Sequence, residues 1–391
     1  MINRIKALAK EFKNDIVETR RHIHKFPCLS FVEFDTAEYI GSRLSSWNIK
    51  YEKVGATGIV ATIEGNNPAK KVVALRADID ALPIQEKNNC SYKSVVDGVM
   101  HACGHDAHTA MLLGVANILN NVKNYFEGTI KLVFQPGEEK LPGGASLMIK
   151  DGVLNDVDVI IAQHVYPDLP CGKVGFHAGE YMASCDEINI HIKGRGGHAA
   201  KIEERDNTTV AAARMLCAIS ELSSEFSNEK KEDPVIIAFG GIESKGTYNV
   251  IPSRIHLKGT MRTFDEAERK AVKNKIRKIC SEIARSMGVS SRVVIEAGYP
   301  VLKNDVELTE SLRDKAVEFM GNDEVMSIPR LMTAEDFAWY SHKVKACMYR
   351  IGTSNAEKGI TSKQHTPHFD IDEDALEIGT GLMAYLAIES L

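Results

Sequence analysis

Residues 71–80 read KVVALRADID, a continuous apolar run that ends in Asp78 and Asp80. A run of this length bounded by charge is a buried strand, and the polar groups that follow it stand at its carboxyl end. Two further segments repeat the pattern. GTIKLVFQPGEE (128–139) runs to Gln135, where Pro136 and Gly137 break it before Glu138 and Glu139. VDVIIAQHVYP (157–167) runs to His164, ahead of Pro167. Between the first two, MHACGHDAH (100–108) leads into a helix whose apolar face is Met111, Leu112, Val115, Ala116 and Leu119. Strands alternating with helical patterns over 71–180 predict an α/β architecture. Open sheets of that class hold their ligands at the carboxyl edge, where these polar residues collect.

The texture changes near residue 182. Ile188, Ile190 and Ile192 alternate, so 185–193 reads as a half-exposed strand. A helix over about 206–227 follows, then strands at 234–242 and 252–262. A second helix starts at Asp265, with Glu268 as a capping-box partner, and stops at Gly288. Its buried stripe is Ile276, Ile279, Cys280, Ile283 and Met287, and SRVVIEA (291–297) is a last strand. The order βαββαβ is the ferredoxin-like arrangement. A helix at 305–320, a strand CMYRIGT (347–353) and a terminal helix then resume the α/β texture. The expected organisation is a discontinuous mixed-sheet α/β/α domain, 1–181 and 295–391, with a smaller domain inserted at 182–294.

Bulk properties agree and exclude other classes. A chain of 391 residues suits two domains. With 44% apolar and 26% charged residues, it is neither disordered nor fibrous. A net charge of −5 without a basic stripe gives no reason to expect nucleic acid. Eight scattered cysteines with no CxxC suit reduced thiols, hence a cytoplasmic location. The opening residues lack the apolar core of a signal peptide; Ile2, Ile5, Leu8, Ala9, Phe12 and Ile16 mark an amphipathic packing helix. No 18 apolar residues run together to span a membrane.

Cys103, His105, Glu139, His164 and His365 are the candidate metal ligands. Each alone reads as an ordinary packed or loop residue. As a set they offer the thiolate, imidazole and carboxylate that borderline divalent ions take. Cys103 and His105 lie too close for a zinc-finger chelate, yet comfortably serve neighbouring ions or a bridge. Five donors exceed the need of one catalytic zinc and match two ions. Adjacent residues in extended backbone point oppositely, so one of Glu138 and Glu139 can bind metal while the other faces a metal-bound water. Asp80 is placed to orient a ligand histidine through its other N–H, with Asp78 the weaker choice. His101, His108 and His368 read as supporting hydrogen-bonding groups, and Asp106 as support or first-turn helix chemistry.

These pieces, together with RRHIHKFPCLSF, LRADIDALPIQE, GRGGHAA, YNVIP, GTMRTF, TAEDFA and HTPHFD in order along nearly the whole chain, resemble the co-catalytic metallopeptidase family. That family contains aminoacylases, hippurate hydrolases, N-acetyldiaminopimelate deacetylases and auxin-conjugate amidohydrolases. The resemblance implies a catalytic domain carrying the inserted segment as a lid or dimerisation domain. It implies hydrolysis of N-acyl amino acids by two divalent ions (manganese, zinc, cobalt or nickel), with Glu138 as general base and acid and Cys103 standing where other branches place a bridging aspartate. It implies that His198 crosses to a partner subunit's site in a homodimer and holds the oxyanion. It also gives Asn249 and Arg262 the substrate carboxylate. The sequence departs from the family at Cys28 and Leu29, at 201–207 and at 243–247. None of these is a proposed ligand, and the last two bear on substrate choice. Two rival readings are a thiol amidase using Cys103 and a non-catalytic metal- or peptide-binding module. The first leaves Glu139, His164 and His365 without work; Glu138 beside Glu139 argues against the second.

Overall fold

Three strands that run parallel side by side decide where chemistry can occur. Val72–Asp78 pairs in parallel with Thr129–Gln135 on one side and Val159–Pro170 on the other. Their carboxyl ends therefore open on one edge of the sheet. The computed structural model describes residues 1–226 and 234–391. The full sheet has eight strands, in the order Lys50–Val54, Gly58–Glu64, Thr129–Gln135, Val72–Asp78, Val159–Pro170, Lys345–Ser354, Val174–Phe176 and Val325–Ser327. Antiparallel pairs flank the parallel centre, so the sheet is mixed. Val72–Asp78 is buried along almost its whole length, which is why it reads as an uninterrupted apolar run instead of an alternating one.

One strand is longer than its sequence suggests. Val159–Pro170 does not stop at His164 but continues past Pro167. Its pairing with Lys345–Ser354 slips between Gly352 and Ser354, opposite this proline stretch. A missing N–H costs little where the ladder is already broken.

The helix His105–Val122 is buried almost all round, not only along the predicted stripe. It packs between Ile2–Lys25 and Asp374–Glu389, so two faces need apolar residues instead of one. Ile5, Ala9, Ile16 and Ile23 are the buried apolar positions of the first of these helices. Phe134, Leu132, Leu112, Met383 and Leu386 belong to the same core.

The chain divides into two compact units: Met1–Gly179 with Lys303–Arg330 and Asp336–Leu391, and Glu180–Leu302 with Leu331–Glu335. The second unit has a four-stranded antiparallel sheet ordered Ile236–Ser244, Arg254–Thr263, Ser184–Lys193, Ser290–Ala297. Helices Thr208–Phe226 and Glu266–Ser286 cover one face. Ile188, Ile190 and Ile192 are packed there with Met215, Ile219, Val272 and Ile276. Chain order and sheet order are those of the split βαβ motif. Asp265 caps the second helix by accepting the Glu268 N–H, and Gly288 follows its end at φ +67°. The first helix is described to Phe226; residue 227 lies outside the described residues.

Candidate metal centre

Glycine makes the first approach possible. Gly104 caps the helix His105–Val122 in a left-handed conformation at φ +96°. A Cβ there would stand 2.5 Å from Val165 Cγ2, so only glycine lets this turn lie on the strand that carries His164. Gly137, at φ +62°, plays the same part for Glu138 and Glu139, with the Phe31 ring filling the space of its absent side chain. The buried Glu33 carboxylate accepts N–H bonds from Gly137 and Phe31, both at 2.8 Å, and pins that turn.

Five donors converge at this edge. Cys103 Sγ lies 3.8 Å from His164 Nε2. Glu139 Oε1 lies 3.2 Å from His365 Nε2 and 3.9 Å from His105 Nε2. Ligand atoms of Cys103, Glu139 and His365 fall within 4.8 Å of one another, as do those of His105, Glu138 and Glu139. Glu139 belongs to both groups. The two glutamates do not point oppositely, because residues 138–139 form a turn and not extended backbone. Both carboxylates approach His105, and Glu138 Oε1 also receives the Asp336 N–H at 3.4 Å.

The histidine tautomers follow from their partners. His105 donates from Nδ1 to the Asp80 carbonyl at 2.9 Å, with Asp80 Oδ1 at 3.2 Å. His164 donates from Nδ1 to the Val165 carbonyl at 2.8 Å. Each ring thus turns its Nε2 toward the cluster. His105 Nε2 is buried and makes no hydrogen bond, an arrangement that costs free energy unless a cation takes the lone pair. The donor set therefore fits one or more divalent ions.

Electrostatics point the same way. Burial favours a neutral His105, but the Asp78 carboxylate and the Cys103 sulfur outweigh it and hold its pKa well above the usual value. Bonding to Cys103 and Glu139 pushes His365 up to about 10. Burial, and then the Glu139 charge, raise the Cys103 thiol. Burial and the neighbouring Arg350 keep His164 neutral. Groups that hold protons this closely in mutual contact exchange them for a cation on metal binding.

Other residues read from the sequence fall into distinct places. His108 donates from Nδ1 to Asp78 Oδ1 at 2.6 Å and accepts the Val165 N–H on Nε2 at 2.9 Å, so neither nitrogen is available as a ligand. His101 does not act as a hydrogen-bonding support. It is buried, neither ring nitrogen has a partner, and desolvation lowers its pKa to about 4. It packs as a neutral ring. His368 is exposed. Asp106 forms ion pairs with Arg20 and His24.

In the second unit, His198 and Asn249 are neighbours, since Gly197–His198 pairs with Val250–Ile251. His198 Nδ1 accepts the Ala200 N–H at 3.2 Å, which leaves the proton on Nε2. Arg262 has a buried Nη1 without a hydrogen-bond partner.

Two residues without a role in the sequence reading matter here. Arg76, buried in mid-strand, bonds Asp78, Gln135 and Asp336; a charge inside an apolar run was the available signal. Gln364 donates to the Cys103 carbonyl at 3.0 Å, and the His365 N–H to Ala102 O at 2.8 Å, tying the His365 loop to the Cys103 turn. No sequence pattern marks Gln364.

The sequence pattern of peptidase family M20/M25/M40 matches residues 74–389. This chain belongs to that family. Among its relatives, N-acetylcysteine deacetylase of Bacillus subtilis is 34% identical over 381 residues, covering 97% of each protein. Thermostable carboxypeptidase 2 of Saccharolobus solfataricus is 36% identical over 397 residues, covering 100% of this chain and 98% of that one. A Bacillus subtilis crystal structure described as a dinuclear metal binding peptidase from the M20 family superposes with a TM-score of 0.84 at 33% identity, covering 98% of this chain and 99% of that one. Within the M20/M25/M40 fold, the carboxyl edge of the parallel strands carries Asp78, Asp80, Glu138, Glu139 and His164 in this chain.

Proposed function

We propose that this protein is a metal-dependent amidohydrolase that cleaves N-acyl amino acids to a carboxylate and a free amino acid. The observation that carries the reading is the buried Nε2 of His105, which makes no hydrogen bond and lies within 4.8 Å of carboxylate oxygens of Glu138 and Glu139, the second of which also groups with Cys103 and His365. Cys103, His105, Glu139, His164 and His365 would hold two divalent ions. Their chemistry is Lewis acidity toward the scissile carbonyl and toward water. Glu138 takes a proton from the attacking water and returns it to the leaving amine. Its burial, at 7% exposed, keeps this carboxylate out of bulk solvent. Asp80 holds His105 in the tautomer that presents Nε2. Asn249 and the Arg262 guanidinium are assigned to the substrate carboxylate, which suits a planar fork. His198, protonated on Nε2, is assigned to the oxyanion in the site of a second copy of the chain. The eight cysteines are free thiols, which supports a reducing compartment.

Replacing Glu138 by Gln should keep both ions and lower turnover by roughly 10²–10⁴-fold. Elemental analysis and amine release, measured on one preparation, check both halves. Near-normal turnover in Glu138→Gln would refute the assignment. Substrates should include acetyl and benzoyl amino acids and short peptides, because one relative is a deacetylase and another a carboxypeptidase. Each is assayed after reconstitution with manganese, zinc, cobalt or nickel. Inactivation by iodoacetamide combined with indifference to chelators would favour a Cys103 nucleophile instead.

A further inference from the structure

We propose that Arg20 is a positioning residue for the metal centre: its buried guanidinium, held between Asp106 and Asp370, sets the spacing of the two segments that carry His105 and His365. The inference rests on the metal-dependent reading above.

Arg20 lies on the first helix, far in sequence from every proposed ligand, and is fully buried. Its Nε donates to Asp106 Oδ2 at 2.8 Å and its Nη2 to Asp370 Oδ1 at 2.7 Å. Nη1 reaches Glu373 Oε1 at 3.3 Å. Asp106 is the residue after His105, in the first turn of that helix. Asp370 lies five positions beyond His365, whose own backbone sits at φ +60° in a segment without helix or strand. The guanidinium thus ties the start of the His105 helix to the chain just beyond His365. Tyr92 completes the clamp, with its ring 4.8 Å from the Arg20 carbon and its hydroxyl donating to Asp370 Oδ2 at 2.9 Å.

A purely structural role explains this poorly. Burying a guanidinium costs several kcal/mol before its partners repay it, and an apolar side chain of similar volume would fill the space without that cost. A planar fork supplies direction, which packing does not: carboxylates on separate segments are held at fixed angles to one plane.

The test uses the full chain, stripped of metal and titrated with cobalt by calorimetry, with the cobalt–thiolate absorption recorded in parallel. Metal-free melting temperatures are measured for the same samples. Arg20→Met should weaken cobalt binding by about 10–100-fold, as loss of a ligand-orienting partner does. Arg20→Lys should fall between it and wild type, because an ammonium cannot fork. Asp370→Asn, at a partly exposed site that tolerates an amide, should weaken binding about 10-fold while melting near wild type. It carries the test should Arg20→Met fail to fold. Wild-type affinities in Asp370→Asn, with Arg20→Met altered only in melting temperature, would overturn the positioning role and leave the function standing. A wild-type chain that binds no cobalt would overturn both.

Discussion

At the candidate metal centre, the orientation of His105 and His164 is decided at the nitrogen opposite the proposed ligand atom. Both donate from Nδ1 to a backbone carbonyl, and His105 also meets the Asp80 carboxylate. Asp80 does more than orient a ring. Its Oδ2 accepts the Ser30 hydroxyl at 2.7 Å and the Glu139 N–H at 3.0 Å, so one carboxylate steadies two proposed ligands. Asp80→Ala should therefore weaken metal binding by about 10–100-fold, read by competition with a chromophoric chelator. An unchanged dissociation constant would mean that the Asp80 carbonyl alone holds His105. Candidate donors could be picked out of the sequence because chemistry restricts metal ligands to few residue types. The silence of His101 and the full occupation of His108 were not, because both depend on partners distant in the chain.

At the scale of the element, turns matter more than the helices and strands they join. Gly104 must be left-handed for the His105 helix to start against Val165. Gly104→Ala should destabilise the protein by roughly 1–3 kcal/mol or more, from the positive φ and the contact with Val165 together. Urea unfolding of the metal-free chain measures it. The first helix makes a different prediction. His24 is buried, donates to Asp106 at 2.8 Å and lies 3.2 Å from Glu86. Burial opposes its charge, but these carboxylates prevail and raise its pKa to about 8. A raised folded pKa stabilises fully below the unfolded value near 6.5, and the gain is lost as pH rises through about 8. The stability advantage of wild type over His24→Gln should therefore shrink by about 2 kcal/mol between pH 6 and pH 9. A difference that stays flat over that range would show that His24 is neutral in the folded chain.

For the whole molecule, the assignment of His198 to a second copy makes assembly part of catalysis. Sedimentation at assay concentration should show a dimer, and activity should fall with dilution through its dissociation constant. A fully active monomer would defeat the role of His198 in trans. No helix among the described residues is long and apolar enough to cross a membrane.

The order of apolar runs and the residues that end them were enough to determine the α/β class, because a buried parallel strand can be built from little else. The same order placed the acids and imidazoles at one sheet edge, since strand direction alone sends every carboxyl end the same way. What only the tertiary structure decided was register and reach. The strand through His164 outruns its proline because a slip in pairing forgives it. The two glutamates approach one histidine because their backbone turns. Arg20 meets Asp370 across 350 positions. Such contacts depend on packing between segments whose separation along the chain carries no information about distance in space.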